Sequence, residues 1–325
     1  MKKVLLTGSQ GFIGSYICKN LLVDHKVLGI DNYSKYGKIA REHDDHPNFQ
    51  LVDLNLTNPQ YIRNVFETFD PDYIIAGAAM IGGIAYFHKY AYDLISVNER
   101  IMANTLDNAI LLHKAKKNIK RVVNISSSMV YESATQFPCK ENDVMPPPLS
   151  TYGMQKLMTE YYCKGAYEQY GLDYTIIRPF NCVGIGEEDV GTSLTHVIPD
   201  LVKKALNAKN NELEILGDGN QVRHYTHGSD IAEGIRRAMY TPEASRQAFN
   251  ISTDYQINVL DLATEIWKKI HGSAPLKIIN TQPFVYDVKY RCPDVSKAEK
   301  ILGFKARVTL SDALDEVIAW ISTQK

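Results

Sequence analysis

Apolar residues in the first half of the chain fall into short runs. Between the runs they recur every three or four positions. The runs at 4–6, 26–30, 49–52, 73–76, 121–125 and 174–177 read as buried strands. The stretches 12–22, 58–69 (Pro59 near its first turn), 92–115 and 151–170 read as amphipathic helices. Strand and helix alternate, so the pattern predicts an α/β fold, a doubly wound parallel sheet of the Rossmann type. After residue 180 the rhythm changes. Glycines crowd at 184, 186, 191, 217 and 219; helices are predicted at 198–208, 257–270, 295–302 and 310–321, and an edge strand at 212–216. The expected division is a Rossmann domain over 1–180 and a smaller α/β substrate-binding lobe over most of 181–325. A return to the first domain is expected at about 225–250, through a helix near 229–240.

The first junction carries the first chemistry. Residues 4–14 read V-L-L-T-G-S-Q-G-F-I-G, a strand running through Gly8, Gly11 and Gly14 into a helix. Glycines there let backbone approach a pyrophosphate over the positive end of the helix. The second strand ends in Asp31, followed by Asn32. A carboxylate at that place accepts from a ribose diol and repels a 2′-phosphate, which favours NAD over NADP. The alternative is that Asp31 and Asn32 only open a turn.

Bulk properties narrow the class. The chain has 325 residues, 36 Lys and Arg against 37 Asp and Glu, and a formal charge of −1. That balance excludes a protein built to grip nucleic acid or an anionic membrane surface. No apolar stretch approaches the length of a membrane span. The opening M-K-K-V-L-L reads as the approach to the first strand rather than as a secretory leader, because the glycine turn follows at once. Five cysteines, at 18, 139, 163, 182 and 292, are scattered and odd in number, which predicts free thiols in a reducing cytoplasm. His43 and His46 sit three apart without further ligands, so no metal is expected.

Tyr152 and Lys156 fall four apart on one face of the predicted helix 151–170. A nearby ammonium favours a phenolate, which suits Tyr152 to act as a general base. Ser127 follows the fifth strand, at the carboxyl end of the sheet, where it can meet Tyr152. The trio can hold a sugar hydroxyl and take its proton while hydride leaves the same carbon. Tyr-x-x-x-Lys also occurs by chance, and this helix is rich in tyrosine. The pair gains meaning beside the glycine turn and the serine loop.

With these residues in view the chain resembles the extended short-chain dehydrogenase/reductase family, in its sugar-nucleotide epimerase/dehydratase branch, nearly end to end. T-G-S-Q-G-F-I-G at 7–14 matches the family's dinucleotide turn, which puts Gly8, Gln10, Gly11, Phe12, Ile13 and Gly14 at the cofactor. Asp53 and Leu54 match the adenine-site pair, Gly77, Ala78 and Ala79 the loop beside the cofactor phosphates, and Asn98 a structural asparagine. Ser127, Tyr152 and Lys156 match the catalytic trio. In R-P-F-N at 178–181, Pro179 matches the residue beside nicotinamide and Asn181 the one that reaches the substrate diphosphate. Arg223, in G-D-G-N-Q-V-R, and Arg291 match two diphosphate arginines. The resemblance implies a homodimer paired through its long helices, a nucleotide-sugar substrate and NAD.

Departures narrow the implied reaction. Family 4,6-dehydratases carry Asp-Glu after the catalytic serine or threonine; here Ser128 and Met129 stand there. Without an acid and a base, elimination of water is not expected. A-A-M-I-G-G-I at 78–84 and T-H-V-I-P-D-L at 195–201 resemble GDP-fucose synthases, the 3,5-epimerase/4-reductases, and put His196 at their catalytic histidine, with Val197 beside it. Met129 replaces the partner cysteine, and a thioether exchanges no protons. The reading is 4-epimerisation through a transient 4-keto sugar, the alternative being a 4-reductase or 3,5-epimerase/4-reductase acting on a 4-keto-6-deoxy nucleotide sugar. His196 is either a proton-transfer residue or a hydrogen-bonding wall residue. Glu132 contacts sugar hydroxyls or only water. His224 and His227 are expected to be structural. Met80 and residues 81–88 shape the sugar pocket or only pack a lid.

Overall fold

The computed structural model describes the whole chain except residues 83–85, 87–88, 116–118, 188–195, 283–287 and 325. Seven strands form one parallel sheet: β1 (Lys2–Thr7), β2 (His25–Asp31), β3 (Phe49–Asp53), β4 (Tyr73–Ala76), β5 (Arg121–Ile125), β6 (Tyr174–Pro179) and β11 (Gln247–Ile251). Their spatial order is β11-β6-β5-β4-β1-β2-β3. The order reverses direction between β1 and β4, so a crevice opens at the carboxyl ends of those two strands. The doubly wound sheet read from the alternation is therefore present.

Each face of the sheet is covered by helices. On one side lie α1 (Phe12–Leu21), α6 (Gly228–Tyr240) and α8 (Ser296–Leu302), around Val4, Ile17, Ile75, Ile235 and Phe249. On the other lie α2 (Ile62–Phe69), α3 (Ala91–Lys114) and α4 (Thr151–Tyr170), around Leu5, Phe66, Ile74, Leu106 and Ile176. A third apolar cluster is centred on Trp267. It joins α5 (Val197–Leu206), α7 (Val259–His271) and α9 (Leu310–Thr323) to a two-stranded sheet of β8 (Glu212–Leu216) and β13 (Lys277–Thr281). Short paired segments stitch the two regions: β7 (Cys182–Val183) with β10 (Thr226–His227), and β9 (Val222–Arg223) with β12 (Ile257–Asn258).

Several boundaries differ from the pattern. The helix expected from 58 starts at Ile62, because Asn55 and Asn58 each accept backbone N–H groups two residues on and hold the approach as turns. The helix expected from 257 starts at Val259. Ile257 and Asn258 pair with β9, and the Asn258 side chain caps the helix by accepting from Asp261 N. Strand β11, the seventh of the sheet, and strand β13 carry no clear alternation and were not expected as strands. The glycine at 191 lies outside the described residues.

Candidate active site

A cavity of about 1010 Å³ opens at the switch between β1 and β4. The glycine turn forms its floor. Gly8 takes φ +78°, and a Cβ there would meet Ala78 backbone at 2.9 Å. A Cβ on Gly14 would stand 2.0 Å from the Gly8 carbonyl oxygen, so only glycine fits. Thr7 Oγ1 accepts from Gly77 N and Ala78 N, each at 3.0 Å, locking the β4 loop against the turn. Gly11 is the N-cap of α1. This backbone cradle at a helix start fits a dinucleotide pyrophosphate.

Asp31 ends β2 at the cavity wall. Its carboxylate accepts from Gln10 N at 3.0 Å and Tyr33 N at 2.8 Å, which fixes its orientation and leaves further lone pairs for a ribose diol. Asp31 thus opens the turn, and it does so at the cavity wall. Gly8, Gln10, Gly11, Phe12, Ile13, Gly14, Asp31, Asn32, Leu54, Gly77, Ala78, Ala79 and Pro179 all line the cavity. Asp53 and Asn98 are not among the lining residues. Asp53 is drawn to Lys38, at 2.9 Å on the surface. Asn98 holds Met80 from both sides, accepting from its N at 2.7 Å and donating to its O at 3.0 Å.

Helix α4 delivers Tyr152 and Lys156 to the cavity. Ser150 caps it, with Oγ accepting from Gly153 N. Glu132 accepts from Ser150 N at 2.9 Å and Ser150 Oγ at 2.7 Å, which makes it a brace for the helix start and not a cavity residue. Gly153 allows the close approach: a Cβ there would stand 2.8 Å from the Met129 carbonyl oxygen. Ser127 caps the 3₁₀ turn Ser128–Tyr131 by accepting from Met129 N, and it hydrogen-bonds Tyr152. The trio expected from the spacing is assembled, with Ser128 and Met129 beside it in the cavity wall.

The electrostatics differ from expectation. Burial pushes the Tyr152 phenol up to about 12, against a lowering by Ser127 and by the charge of Arg291. Burial brings the Lys156 ammonium down to about 8. Lys156 Nζ donates to Ile125 O at 2.9 Å. The depression of the phenol predicted from the neighbouring ammonium is not found: the lowering comes from Ser127 and Arg291, and burial outweighs it.

Opposite the trio, Arg291 Nη1 lies 3.5 Å from Asn181 Oδ1, and Arg223 Nη1 donates to Val222 O at 2.9 Å. Both arginines line the cavity with Asn181, as do His196 and Val197. His196 Nδ1 lies 2.7 Å from Glu187 Oε1, and Glu187 is buried. Glu187 was not expected; its only signal is an acidic pair after the glycines at 184 and 186. His224 Nδ1 lies 3.0 Å from Thr253 O, and burial lowers its pKa. His227 caps α6 and meets Glu316 at 2.7 Å. Both rings are held by neighbours within the protein. Met80, Ile81 and Tyr86 pack against Leu94, Met129 and Tyr152 and line the cavity. Residues 83–85, 87–88 and 195, parts of the two stretches read as lid and histidine motif, lie outside the described residues. Among the described residues no three His, Cys, Asp or Glu side chains cluster as a metal site.

The family described as "NAD dependent epimerase/dehydratase family" matches residues 4–252. A UDP-N-acetyl-alpha-D-glucosaminuronate decarboxylase of Bacillus cytotoxicus is 28% identical over 98% of this chain and 97% of its own. A UDP-glucuronic acid 4-epimerase of Bacillus cereus, solved with UDP-glucuronic acid and NAD, is 26% identical, with a TM-score of 0.86 over 99% of this chain and 100% of its own. A UDP-glucose 4-epimerase of Thermotoga maritima, solved with UDP-glucose, is 25% identical, with a TM-score of 0.86 over 99% of each chain.

Proposed function

The chain belongs to the NAD-dependent epimerase/dehydratase family, and from that premise we propose that it epimerises C4 of a nucleotide-diphosphate sugar with NAD as its resident cofactor. What carries the reading is one continuous cavity that joins the glycine cradle and Asp31 to Tyr152, and Tyr152 to Arg223 and Arg291. Kin that act at C4 of UDP-sugars share the fold over the whole chain. NAD, when bound, supplies the acceptor and donor of the C4 hydride. Tyr152 Oη takes the proton of the C4 hydroxyl and gives one back. Ser127 holds that hydroxyl, and the Lys156 ammonium steadies the phenolate. Arg223 and Arg291 grip the diphosphate while the 4-keto sugar turns its other face.

The pair His196–Glu187 favours one second reading. A carboxylate on Nδ1 orients the imidazole. That suits proton transfer at C3 or C5, and so a 3,5-epimerase/4-reductase. Incubation with UDP-, GDP-, CDP- and dTDP-sugars, without added cofactor, separates the readings. A pair of C4 epimers at equilibrium is expected. Turnover only with external NAD(P)H marks a reductase, and loss of CO₂ from a uronate marks a decarboxylase.

The assembly proposed is a homodimer through α3 and α4, whose Tyr92, Leu111, Met158, Tyr161 and Tyr162 are exposed. The five cysteines are free, which fits a reducing cytoplasm. No described helix is long and apolar enough to cross a membrane.

A further inference from the structure

The segment between β2 and β3 is long, and both its halves return to the cofactor cradle. Residues 32–37 line the cavity directly after Asp31. Residues 41–44 then fold back onto one residue of the glycine turn, Gln10. Gln10 is 4% exposed. Its backbone N donates to Asp31, and its backbone O accepts from Arg41 Nη2 at 2.8 Å. Its side-chain amide donates to Asp44 Oδ1 at 3.0 Å and lies 3.4 Å from His43 Nε2. Asp44 Oδ2 also accepts from Arg41 N at 2.7 Å, so Arg41 and Asp44 brace one another. His43 is buried edge-on against Phe49, and the Arg41 guanidinium stacks 5.4 Å from the Tyr36 ring centre.

We propose that residues 32–44 are a cofactor-retaining strap, locked onto Gln10 by Arg41 and Asp44. The assignment rests on the proposed dinucleotide site and deepens it. The strap begins at the carboxylate that would take the ribose diol and closes on the turn that would take the pyrophosphate. A dinucleotide lying between them is enclosed on the side where residues 32–37 form the wall. Leaving requires that wall to lift, and lifting it breaks the contacts on Gln10. Arg41 also reaches beyond the turn. A Cβ on Gly186 would stand 3.1 Å from Arg41 Nη1, so the guanidinium lies beside the glycine that precedes Glu187. Arg41 Nε is buried without a hydrogen-bond partner among the described residues.

The strap explains why such an enzyme keeps its cofactor. An epimerase must hold the reduced dinucleotide until the sugar has turned, and each premature escape strands a 4-keto product. Arg41 is a positioning residue in this account; it acts through Gln10 and the strap.

The test is the NAD(H) content of the purified chain after gel filtration, and the rate at which it escapes on dilution. Arg41→Ala is expected to speed escape by about tenfold or more, the effect of losing a charged hydrogen bond. Arg41→Lys, which keeps the cation but not the flat stack on Tyr36, is expected to fall between. Asp44→Ala cuts the same lock from its other side and is expected to behave like Arg41→Ala. The thermal midpoint of nucleotide-stripped protein is measured alongside. Faster escape with a matched midpoint supports the strap. Escape at the native rate in both alanine variants overturns it, and so does loss of nucleotide only in step with unfolding. A native chain that binds no dinucleotide overturns the cofactor reading and the strap together, which tells the two failures apart.

Discussion

Tyr152 is the residue on which the proposed chemistry turns. Tyr152→Phe removes one oxygen from a side chain that is otherwise packed against Met129 and Leu94. The fold and the bound cofactor are expected to survive while turnover falls by roughly 10²–10⁴. Activity within a few-fold of native, measured by the same product assay, removes Tyr152 from its role. Lys156 gives a signed pH effect. Its folded pKa, about 8, lies below its ordinary value of 10.5. Between those values the unfolded chain holds more protons than the folded one, so this group's contribution to stability rises with pH across that window. Relative to Lys156→Met, the native protein is expected to gain stability from pH 7.5 to pH 10. Urea midpoints of the two proteins at both pH values check this, and a constant difference contradicts it. The spacing of Tyr152 and Lys156 was legible in the chain because a helix repeats every 3.6 residues. Their pKa directions were not, because they follow from burial, and burial depends on the Gly153 approach to the Met129 carbonyl. Glu187 was equally hidden: nothing local says that it folds back on His196.

Strands β5 and β6 and helix α4 share one buried device. Arg178 in β6 grips Glu160 of α4 through Nε at 2.9 Å and Nη2 at 2.7 Å, and Ser126 Oγ donates to the same carboxylate at 2.7 Å. Glu160 is fully buried. The bridge ties α4 to the loop that carries Ser127. Glu160→Gln leaves the Arg178 cation uncompensated and is expected to cost about 3–5 kcal/mol. Replacing both partners by Met is expected to recover much of that loss, because a buried pair contributes little over well-packed apolar groups. Chemical denaturation of the three variants decides; a double variant as weak as the single one contradicts the account. At this scale the first six strands of the sheet were legible, because each is a short apolar run, and β1, β3, β4 and β5 each stand before a periodic helix. Strand β11 was not. Q-A-F-N-I carries two polar residues, and Asn250 is used to bond Cys139 O and Tyr131 Oη across the sheet's end. Strand β13 was hidden in the same way, since K-I-I-N-T takes its identity from pairing with β8.

The whole molecule places two layers of helices around one sheet and sets a third apolar cluster over the sheet's carboxyl edge. The βαβ order was legible from the chain, and a helix near 229–240 was read as returning to the first domain, where Ile231 and Ile235 pack with the sheet; the two-residue pairings such as β7 with β10 were not legible, because they leave no periodic trace. The exposed apolar side chains of α3 and α4 lead us to expect a dimer. Light scattering at micromolar concentration is expected to give twice the chain mass, and a monomer refutes the pairing. The path of hydrogen at carbon separates the two reactions. If C4 is inverted by removing and returning the same hydrogen within the cavity, no carbon of the sugar exchanges with solvent. The most direct measurement is the reaction in D₂O, with the product mass read after exchangeable hydroxyls are washed back. The account predicts the C4 epimer with no deuterium on carbon. Deuterium at C3 or C5 would contradict it, and would make His196, held by Glu187, the acid of a 3,5-epimerase.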